Sequence, residues 1–446
     1  MPPSMPIARP LTATPGRALK GRFRVRGEPN LTTLMLLLAS LARGTTVIYA
    51  DTSAPAPEVA AALALLADLG ASPETHDDRW QVSGLGALGL LAPSRGLQFS
   101  GAPRLLPLAL GLLAPYDFAA RFEAGPGLGV PPALIEALRG LGTTVDAVRT
   151  GQLPLTLRGA RLGMPFVWRA PAAPGDNWVE AMLLAGLGLP GRSRLEGLAV
   201  LPEPALRLFR HFGADIVDFA DANGLGLTIA GLPKLGARTL APAGDPDIAA
   251  LAIVAGLVVP GSDLVVENVP LAVARGGLVT ALTEMGGKIQ QLERRPAAGE
   301  EVVDLRVRHS ALLGITVKAT GLAPADLAPL AVAAAFAAGT TRLPRLGPTD
   351  KGERHQQLAV ALSINGATAL VDAGGLMVGR PRAGGRLGGS RVEAGRDARF
   401  GAAMLVLGLG AAEPVSIADE SPLRAALPDW LGSLEALGAQ FSRRLP

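Results

Sequence analysis

Two arginines stand at the start of helix-like segments, where their charge could do chemistry. Arg399 opens an apolar run, and Arg354 follows a turn and precedes another helical segment. A helix N-terminus offers unpaired backbone N–H groups, so an arginine beside it makes a binding site for phosphate or carboxylate. A solvated surface arginine is the alternative for Arg354. The pattern predicts an anion-binding site at Arg399, with Arg354 as a second candidate.

Other catalytic groups are scarce in this sequence. The chain has no cysteine, which excludes disulfides, thiolate metal sites and a cysteine nucleophile. Its four histidines show no metal-ligand spacing, so a histidine-based metal site is not expected. The glycine-rich run 383–389 lacks the Lys-Ser/Thr ending of a phosphate-binding loop, and we interpret it as a flexible loop. We expect neither a metal nor a cofactor.

Composition and charge narrow the class of protein. A hydrophobic fraction of 49% in 446 residues predicts a well-packed protein of two or three domains. The net charge of +4 comes from scattered arginines with no basic–aromatic run, so nucleic acid is not an expected partner. The longest apolar runs, 248–260 and 327–339, are too short to cross a bilayer and are predicted to be buried helices. We expect a cytoplasmic monomer without membrane attachment.

An amphipathic segment that ends in glycine and continues as a strand recurs along the chain. The glycine supplies the left-handed conformation that ends a helix, and alternating residues then predict a strand. Successive copies are 71 to 80 residues apart, which indicates internal repetition, and the six glycines are Gly70, Gly142, Gly213, Gly286, Gly366 and Gly438. With a second apolar helix in each copy, the predicted unit is approximately βαβαββ.

One unit of this size cannot bury both faces of its own sheet, so several units must share a core. Six units divide naturally into two α/β domains of three repeats each. A single solenoid is the alternative, but solenoid repeats are shorter, typically about 20–50 residues.

Four framework segments are distinctive: GRFRVRG at 21–27, GQLPLTLRG at 151–159, PAGD at 242–245 and GSDLVVENV at 261–269. They resemble segments of the EPSP synthase (3-phosphoshikimate 1-carboxyvinyltransferase) family, in the enolpyruvyl transferase superfamily. The resemblance covers nearly the whole chain. It implies an inside-out α/β barrel fold with three βαβαββ repeats per domain and an active site between the domains.

The resemblance also implies domain boundaries and a reaction. The first domain would be 27–240, on the shikimate-phosphate side. The second would combine 1–26 with 241–446, on the phosphoenolpyruvate side. The family reaction transfers the enolpyruvyl group of phosphoenolpyruvate to shikimate 3-phosphate, a step of aromatic amino acid biosynthesis, and releases phosphate. Holding two anionic substrates side by side requires several lysines and arginines, and the reaction needs groups that give and take protons.

In the first domain, the positions that resemble the family's substrate loops carry few charges. Pro29 and Leu34 stand where the first loop of the family has lysine and arginine. Asn30 and Thr32 of the same loop keep hydrogen-bonding capacity and are implied substrate-binding residues.

Arg104 could supply a cation in the second loop of the first domain. Asn177, in the segment Gly175-Asp176-Asn177 that matches the shikimate-phosphate loop, is a further implied substrate-binding residue. Asp176 beside it would repel a phosphate, at a cost of several kcal/mol in a dry site.

The second domain keeps more of the family's charged residues. The resemblance aligns Arg354, Asp397 and Arg399 with substrate-binding positions. It aligns Asp326 with the family's aspartate base and places Lys351 in the motif that carries a catalytic lysine.

Two hypotheses follow from these substitutions. The first is an EPSP synthase-like enzyme with a rebuilt site, in which Arg104, Arg169 or Arg396 replaces the lost cations. The second is a catalytically impaired or inactive paralogue, a pseudoenzyme that binds an anionic metabolite or a partner protein. UDP-N-acetylglucosamine enolpyruvyl transferase shares the fold but usually relies on a cysteine, which this chain lacks.

Overall fold

The computed structural model describes residues 9–125, 127–147, 149, 151–161, 163–171, 174–175, 177–222, 224–347, 350–427 and 429–443. The chain divides into two compact units. The inserted unit consists of Gly27–Pro242 and Ala297–Glu300, and the flanking unit consists of Met1–Arg26, Ala243–Pro296 and Glu301–Pro446. Each unit has its own core of Leu, Ala, Val and Ile side chains.

The strands are short and are numbered in chain order. They are β1 Leu11–Thr14, β2 Lys20–Arg24, β3 Arg43–Tyr49, β4 Glu74–His76, β5 Arg79–Leu85, β6 Leu97–Gln98, β7 Ala119–Glu123, β8 Thr144–Ala147, β9 Leu155–Arg158, β10 Val167–Arg169, β11 Arg192–Leu198, β12 Ile216–Asp221, β13 Gly224–Ala230, β14 Thr239–Leu240, β15 Asp263–Pro270, β16 Lys288–Ala297, β17 Glu300–Arg308, β18 Thr340–Pro344, β19 Thr368–Asp372, β20 Gly375–Gly379, β21 Arg391–Val392, β22 Val415–Ile417 and β23 Gln440–Ser442.

The helices alternate with these strands, and one 3₁₀ turn, Pro324–Asp326, directly precedes α10. They are α1 Pro29–Leu41, α2 Pro57–Asp68, α3 Leu105–Leu113, α4 Pro132–Arg139, α5 Trp178–Leu187, α6 Glu203–Phe212, α7 Pro246–Val258, α8 Leu271–Ala274, α9 Gly277–Glu284, α10 Leu327–Phe336, α11 Glu353–Ile364, α12 Ala398–Gly410, α13 Ser421–Ala426 and α14 Trp430–Ala436.

The inserted unit repeats one sheet topology. Its sheets have the strand orders β14-β3-β5-β4, β6-β7-β9-β8 and β10-β11-β13-β12. In each, the first pair is parallel and the other pairs are antiparallel. A parallel pair needs a crossover connection. The buried helices α3 and α5 supply it for β6-β7 and β10-β11, whereas β3 and β14 come from the two ends of the unit's sequence.

The flanking unit contains sheets in the orders β16-β17-β15-β2, β21-β22-β1-β23 and β18-β20-β19. The last has three strands, and parallel bridges from Leu313 to Ala338 and from Thr316 to Arg342 add a short segment beside β18. The mixed α/β fold with three repeats per domain, predicted from the periodicity, is confirmed.

Buried helices form the centre of each unit. Every residue of α3 is buried, and α7, α10 and α12 are buried over nearly their whole length. Their continuous Leu, Ala and Val sequences leave no polar face, as expected of a helix enclosed on all sides.

The outer helices are amphipathic and end at the repeat glycines. In α6 the apolar face is buried, and the helix ends at Gly213 with φ 102°. All six repeat glycines have positive φ, from 84° at Gly366 to 118° at Gly438. The predicted left-handed helix ends are therefore confirmed. None of the helices in the described part of the chain is both long and apolar enough to span a bilayer.

Candidate active site

The starts of two core helices of the flanking unit, α7 and α12, lie together, because Arg399 of α12 contacts Asp245 and Asp247 at the start of α7. The helices α7, α10 and α12 pack against one another, and the 3₁₀ turn before α10 also contacts α7. An aspartate stands immediately before each helix: Asp245 before α7, Asp326 before α10 and Asp397 before α12. A carboxylate at such a position is stabilised by unpaired backbone N–H groups and by the helix dipole.

Asp397 joins the start of α12 to the first turn of α11. Its Oδ1 accepts a hydrogen bond of 2.9 Å from the backbone N–H of Phe400, and its Oδ2 accepts one of 2.9 Å from Nη2 of Arg354. Arg354 keeps 36% of its side chain exposed. The structure therefore brings these two sequence-predicted residues together, with Asp397 both capping a helix and orienting Arg354.

Arg399 is held by two carboxylates from the start of α7. Its Nη2 lies 3.3 Å from Oδ2 of Asp245, and its Nε contacts the carboxylate of Asp247. The other oxygen of Asp245 accepts hydrogen bonds from the backbone N–H groups of Asp247, at 2.8 Å, and Ile248, at 3.2 Å. Asp245, Asp247, Arg354, Asp397 and Arg399 form what we call the flanking cluster, which contains more carboxylates than arginines.

Asp326 has the environment of a proton acceptor. Burial raises the pKa of this carboxyl above its usual range, and a hydrogen bond from the backbone N–H of Ala323, at 2.8 Å, opposes that rise. A carboxylate with a raised pKa is a stronger base, and pKa values nearer neutrality suit proton transfer.

Lys351 lies on an exposed turn, and no described hydrogen bond or ion pair joins it to the flanking cluster. The turn is shaped by Asp350, which accepts hydrogen bonds from the backbone N–H groups of Leu346, at 2.9 Å, and Gly352, at 2.7 Å. These bonds lower the pKa of Asp350. The exposed lysine is free to move on its flexible stem, whereas the aspartate beside it is fixed.

The predicted residues of the inserted unit also lie at helix starts. Asn30 and Thr32 are in the first turn of α1, where the Thr32 hydroxyl donates to the carbonyl of Glu28 at 2.9 Å. The side chain of Glu28 caps this helix by accepting from the backbone N–H of Leu31 at 2.6 Å.

Arg104 and Asn177 precede α3 and α5, and these helices pack together. Asn177 adopts a left-handed conformation with φ 62°, and its Nδ2 donates to the carbonyl of Arg104 at 2.9 Å. Asp176 lies outside the described residues.

Comparison with known proteins identifies the family. A model of the family described as EPSP synthase (3-phosphoshikimate 1-carboxyvinyltransferase) matches residues 13–434. A 3-phosphoshikimate 1-carboxyvinyltransferase of Chelativorans sp. (strain BNC1) is 36% identical over 452 residues, which cover 98% of each chain. The chain belongs to the EPSP synthase family.

Solved structures agree with this family in fold. An EPSP synthase from Acinetobacter baumannii superposes with a TM-score of 0.86 at 23% identity, covering 97% of this chain and 100% of that one. The enolpyruvyl transferase NikO from Streptomyces tendae superposes with a TM-score of 0.69 at 19% identity, covering 98% and 99%. The predicted family and the enolpyruvyl transferase fold are both confirmed.

Pro29 and Leu34, which the resemblance places at charged positions of the family's first loop, are both part of helix α1. Pro29 is the first residue of α1, a position that favours proline. Leu34 is 2% exposed in the core of the inserted unit. Of the candidate replacements for the lost cations, Arg169 pairs with Glu196 while 83% of its side chain is exposed, and Arg396 is also exposed.

Asp247 is the residue that sequence reasoning missed. The only signal was an acidic residue in the first turn of a predicted helix, a common stabilising feature that does not indicate a contact with Arg399. Among the described residues, no group of three or more His, Asp or Glu side chains is arranged to hold a metal ion.

Proposed function

We propose that this protein carries out the reaction of its family at a reduced rate, transferring enolpyruvyl from phosphoenolpyruvate to shikimate 3-phosphate. In this proposal the flanking unit binds phosphoenolpyruvate and the inserted unit binds shikimate 3-phosphate. A monomer in the cytoplasm, without metal or cofactor, would suffice. The observation that carries the proposal is the family match over residues 13–434, and the partly buried Asp326 at the start of a core helix is the candidate base.

In the proposed transfer reaction, each candidate site residue has a role. Asp326 takes the proton of the attacking hydroxyl of shikimate 3-phosphate, so that the hydroxyl oxygen can bond to the enolpyruvyl carbon. Arg354 and Arg399 hold the carboxylate and phosphate of phosphoenolpyruvate by charge-assisted hydrogen bonds. Lys351, on its exposed turn, gives a proton to the methylene carbon as the new C–O bond forms. The bond from the enolpyruvyl carbon to the phosphate oxygen then breaks, the phosphate leaves with the proton held by Asp326, and the methyl carbon returns one proton to Lys351, which restores the double bond. Asn30, Thr32, Asn177 and Arg104 offer hydrogen bonds and one cation to shikimate 3-phosphate.

The reduced rate follows from the lost charges. Pro29 and Leu34 can neither contact a substrate anion nor stabilise developing charge. Removing one positioned charge commonly costs about 10²–10³ in rate. We therefore expect phosphate release at no more than about 10⁻³ of an ordinary family rate.

A second candidate function, ligand binding without turnover, is favoured by one observation. Both arginines of the flanking cluster already contact carboxylates of their own unit. A substrate must compete with these carboxylates, so its binding is weaker than to an unpaired arginine. Two charge-assisted contacts of about 1.5–3 kcal/mol each support only millimolar affinity.

The experiment that separates the two functions measures phosphate release from phosphoenolpyruvate and shikimate 3-phosphate. Wild type is compared with Asp326→Asn and with the control Asp263→Asn. The control removes a carboxylate that pairs with Arg306 on an exposed sheet face of the same unit. A slow release that Asp326→Asn lowers at least tenfold, and Asp263→Asn leaves unchanged, supports the proposed reaction. Equal release by wild type, Asp326→Asn and a protein-free blank supports binding without turnover. Full complementation of a strain lacking EPSP synthase would contradict the reduced rate.

A further inference from the structure

The guanidinium edge of Arg399 that is best suited to an oxyanion is already occupied. Nε and Nη2 are neighbouring donors on one edge of an arginine, and they match the two oxygens of a carboxylate or phosphate. Here Asp245 lies against Nη2 and Asp247 against Nε. Two side chains of the protein thus stand where one ligand anion would bind.

The two carboxylates differ in what else they do. Asp245 has 6% of its side chain exposed, and its second oxygen caps α7 through two backbone N–H groups. Asp247 lies one residue inside the helix and has 25% of its side chain exposed. Removing Asp245 would disturb the start of α7, whereas Asp247 can be changed while that cap stays in place.

The charge of the flanking cluster also opposes anions. Arg354 and Arg399 face three carboxylates, those of Asp245, Asp247 and Asp397. Replacing Asp247 by an uncharged residue would leave two arginines and two carboxylates in the flanking cluster. It would also remove the carboxylate that contacts Nε of Arg399. The gain for an incoming phosphate would include both the removed repulsion and a restored hydrogen bond.

We propose that Asp247 is a specificity-determining residue, which competes with phosphate groups for Arg399 from within the chain and so weakens their binding at the flanking cluster. This inference rests on the proposed function, because that proposal assigns the cluster to phosphoenolpyruvate. The alternative role of Asp247 is that of an acidic residue in a first helical turn, stabilised by the helix dipole and without effect on ligands.

Calorimetric titration with inorganic phosphate, and separately with phosphoenolpyruvate, tests the proposal at equilibrium. The expected result is about fivefold tighter phosphate binding by Asp247→Asn than by wild type, since a partly exposed ionic contact is worth up to about that factor. Asp247→Glu, which keeps the carboxylate, should bind as weakly as wild type. The control Asp263→Asn should also match wild type. In the double variant Asp247→Asn/Arg399→Gln the gain should disappear.

Three results would overturn the proposal: phosphate binding by Asp247→Asn within twofold of wild type, the same gain in Asp263→Asn, or a gain that survives Arg399→Gln. Thermal unfolding followed by circular dichroism checks that each variant is folded, and Asp247→Ser replaces Asp247→Asn if that variant is not. The titration needs no turnover. A wild type that releases no phosphate from its substrates would therefore contradict the proposed reaction and leave the role of Asp247 to be decided by binding.

Discussion

The two units share a repeat topology, yet their core helices begin with different chemistry. In the flanking unit, α7, α10 and α12 begin at aspartates, and two of these aspartates bind arginines. In the inserted unit, α3 and α5 begin at Arg104 and Asn177, joined by a hydrogen bond from an amide to a backbone carbonyl. The helix starts of the flanking unit form an ionic network, whereas those of α3 and α5 are joined by a neutral hydrogen bond.

This difference shows two ways in which helix starts avoid a buried, unpaired charge. A buried charge that loses its partner costs several kcal/mol, so buried charges are absent or are paired within the protein. The inserted unit has Pro29 at the first position of α1 and the buried Leu34 in its core, where the resemblance implies two cations. The flanking unit has arginines that are paired with its own carboxylates. Neither arrangement needs a substrate anion to balance a buried charge.

The largest expected effect comes from placing a charge in the core of the inserted unit. Leu34→Arg introduces the residue type that the resemblance implies at a position that is 2% exposed. Burying an unpaired guanidinium there should lower the free energy of unfolding by about 3–5 kcal/mol and restore no activity. Urea unfolding measures the loss.

Pro29→Lys is the matched control for Leu34→Arg, since it restores the other family cation at the half-buried first position of α1. It should cost less than about 1 kcal/mol. If Leu34→Arg proved as stable as wild type, the position of Leu34 would tolerate an unpaired charge. The interpretation that the core excludes a cation there would then be wrong.

A smaller effect compares the caps of the two units directly. Asp397→Ala removes the cap of Phe400 and the partner of Arg354, and should lower stability by about 2 kcal/mol. Asn177→Gly removes one hydrogen bond, accepts the left-handed conformation at this position, and should cost about 1 kcal/mol. Because salt screens an ion pair, 1 M NaCl should reduce the first loss but not the second. Equal losses, both insensitive to salt, would mean that the flanking cluster gains nothing from its charges.

Much of the fold could be predicted from the sequence because its signals are local. The repeat glycines end helices through their own backbone conformation, and all six have positive φ. Continuous apolar runs likewise predicted the buried helices α7 and α10. These features depend on neighbours within a few residues, so periodicity was enough to find them.

The site could be predicted only in part, because its contacts are tertiary. Arg399 and Asp397 were recognised beside an apolar helix, but the partner Asp245 lies 154 residues away from Arg399 in the sequence. Whether an arginine is open to a ligand depends on such distant carboxylates. The sequence therefore indicates which residue types could bind an anion. Only the folded structure shows how many carboxylates lie against these arginines.

The smallest effect concerns titration, where the two units should also differ. Burial raises the pKa of Asp326, so the folded state binds this proton more tightly than the unfolded state does. The stability gained from that proton is complete below the unfolded pKa and is lost as pH rises through the folded pKa. Asp326→Asn should therefore have a higher free energy of unfolding in urea than wild type at pH 7. The gain should be less than about 1 kcal/mol, because solvent screens the half-buried site, and it should vanish near pH 3.

Asp350→Asn provides the opposite sign in the same unit. The hydrogen bonds from Leu346 and Gly352 lower the pKa of Asp350, so its contribution to stability is present above the unfolded pKa and is lost as pH falls through the folded pKa. This variant should be less stable than wild type at pH 7, and the difference should shrink in acid. The change at Asn177 should show no such pH dependence, since an amide does not titrate.

A less stable Asp326→Asn at pH 7 would show that the hydrogen bond from Ala323 outweighs the cost of burying the charge. Asp326 would then be a structural cap rather than a base held ready for proton transfer.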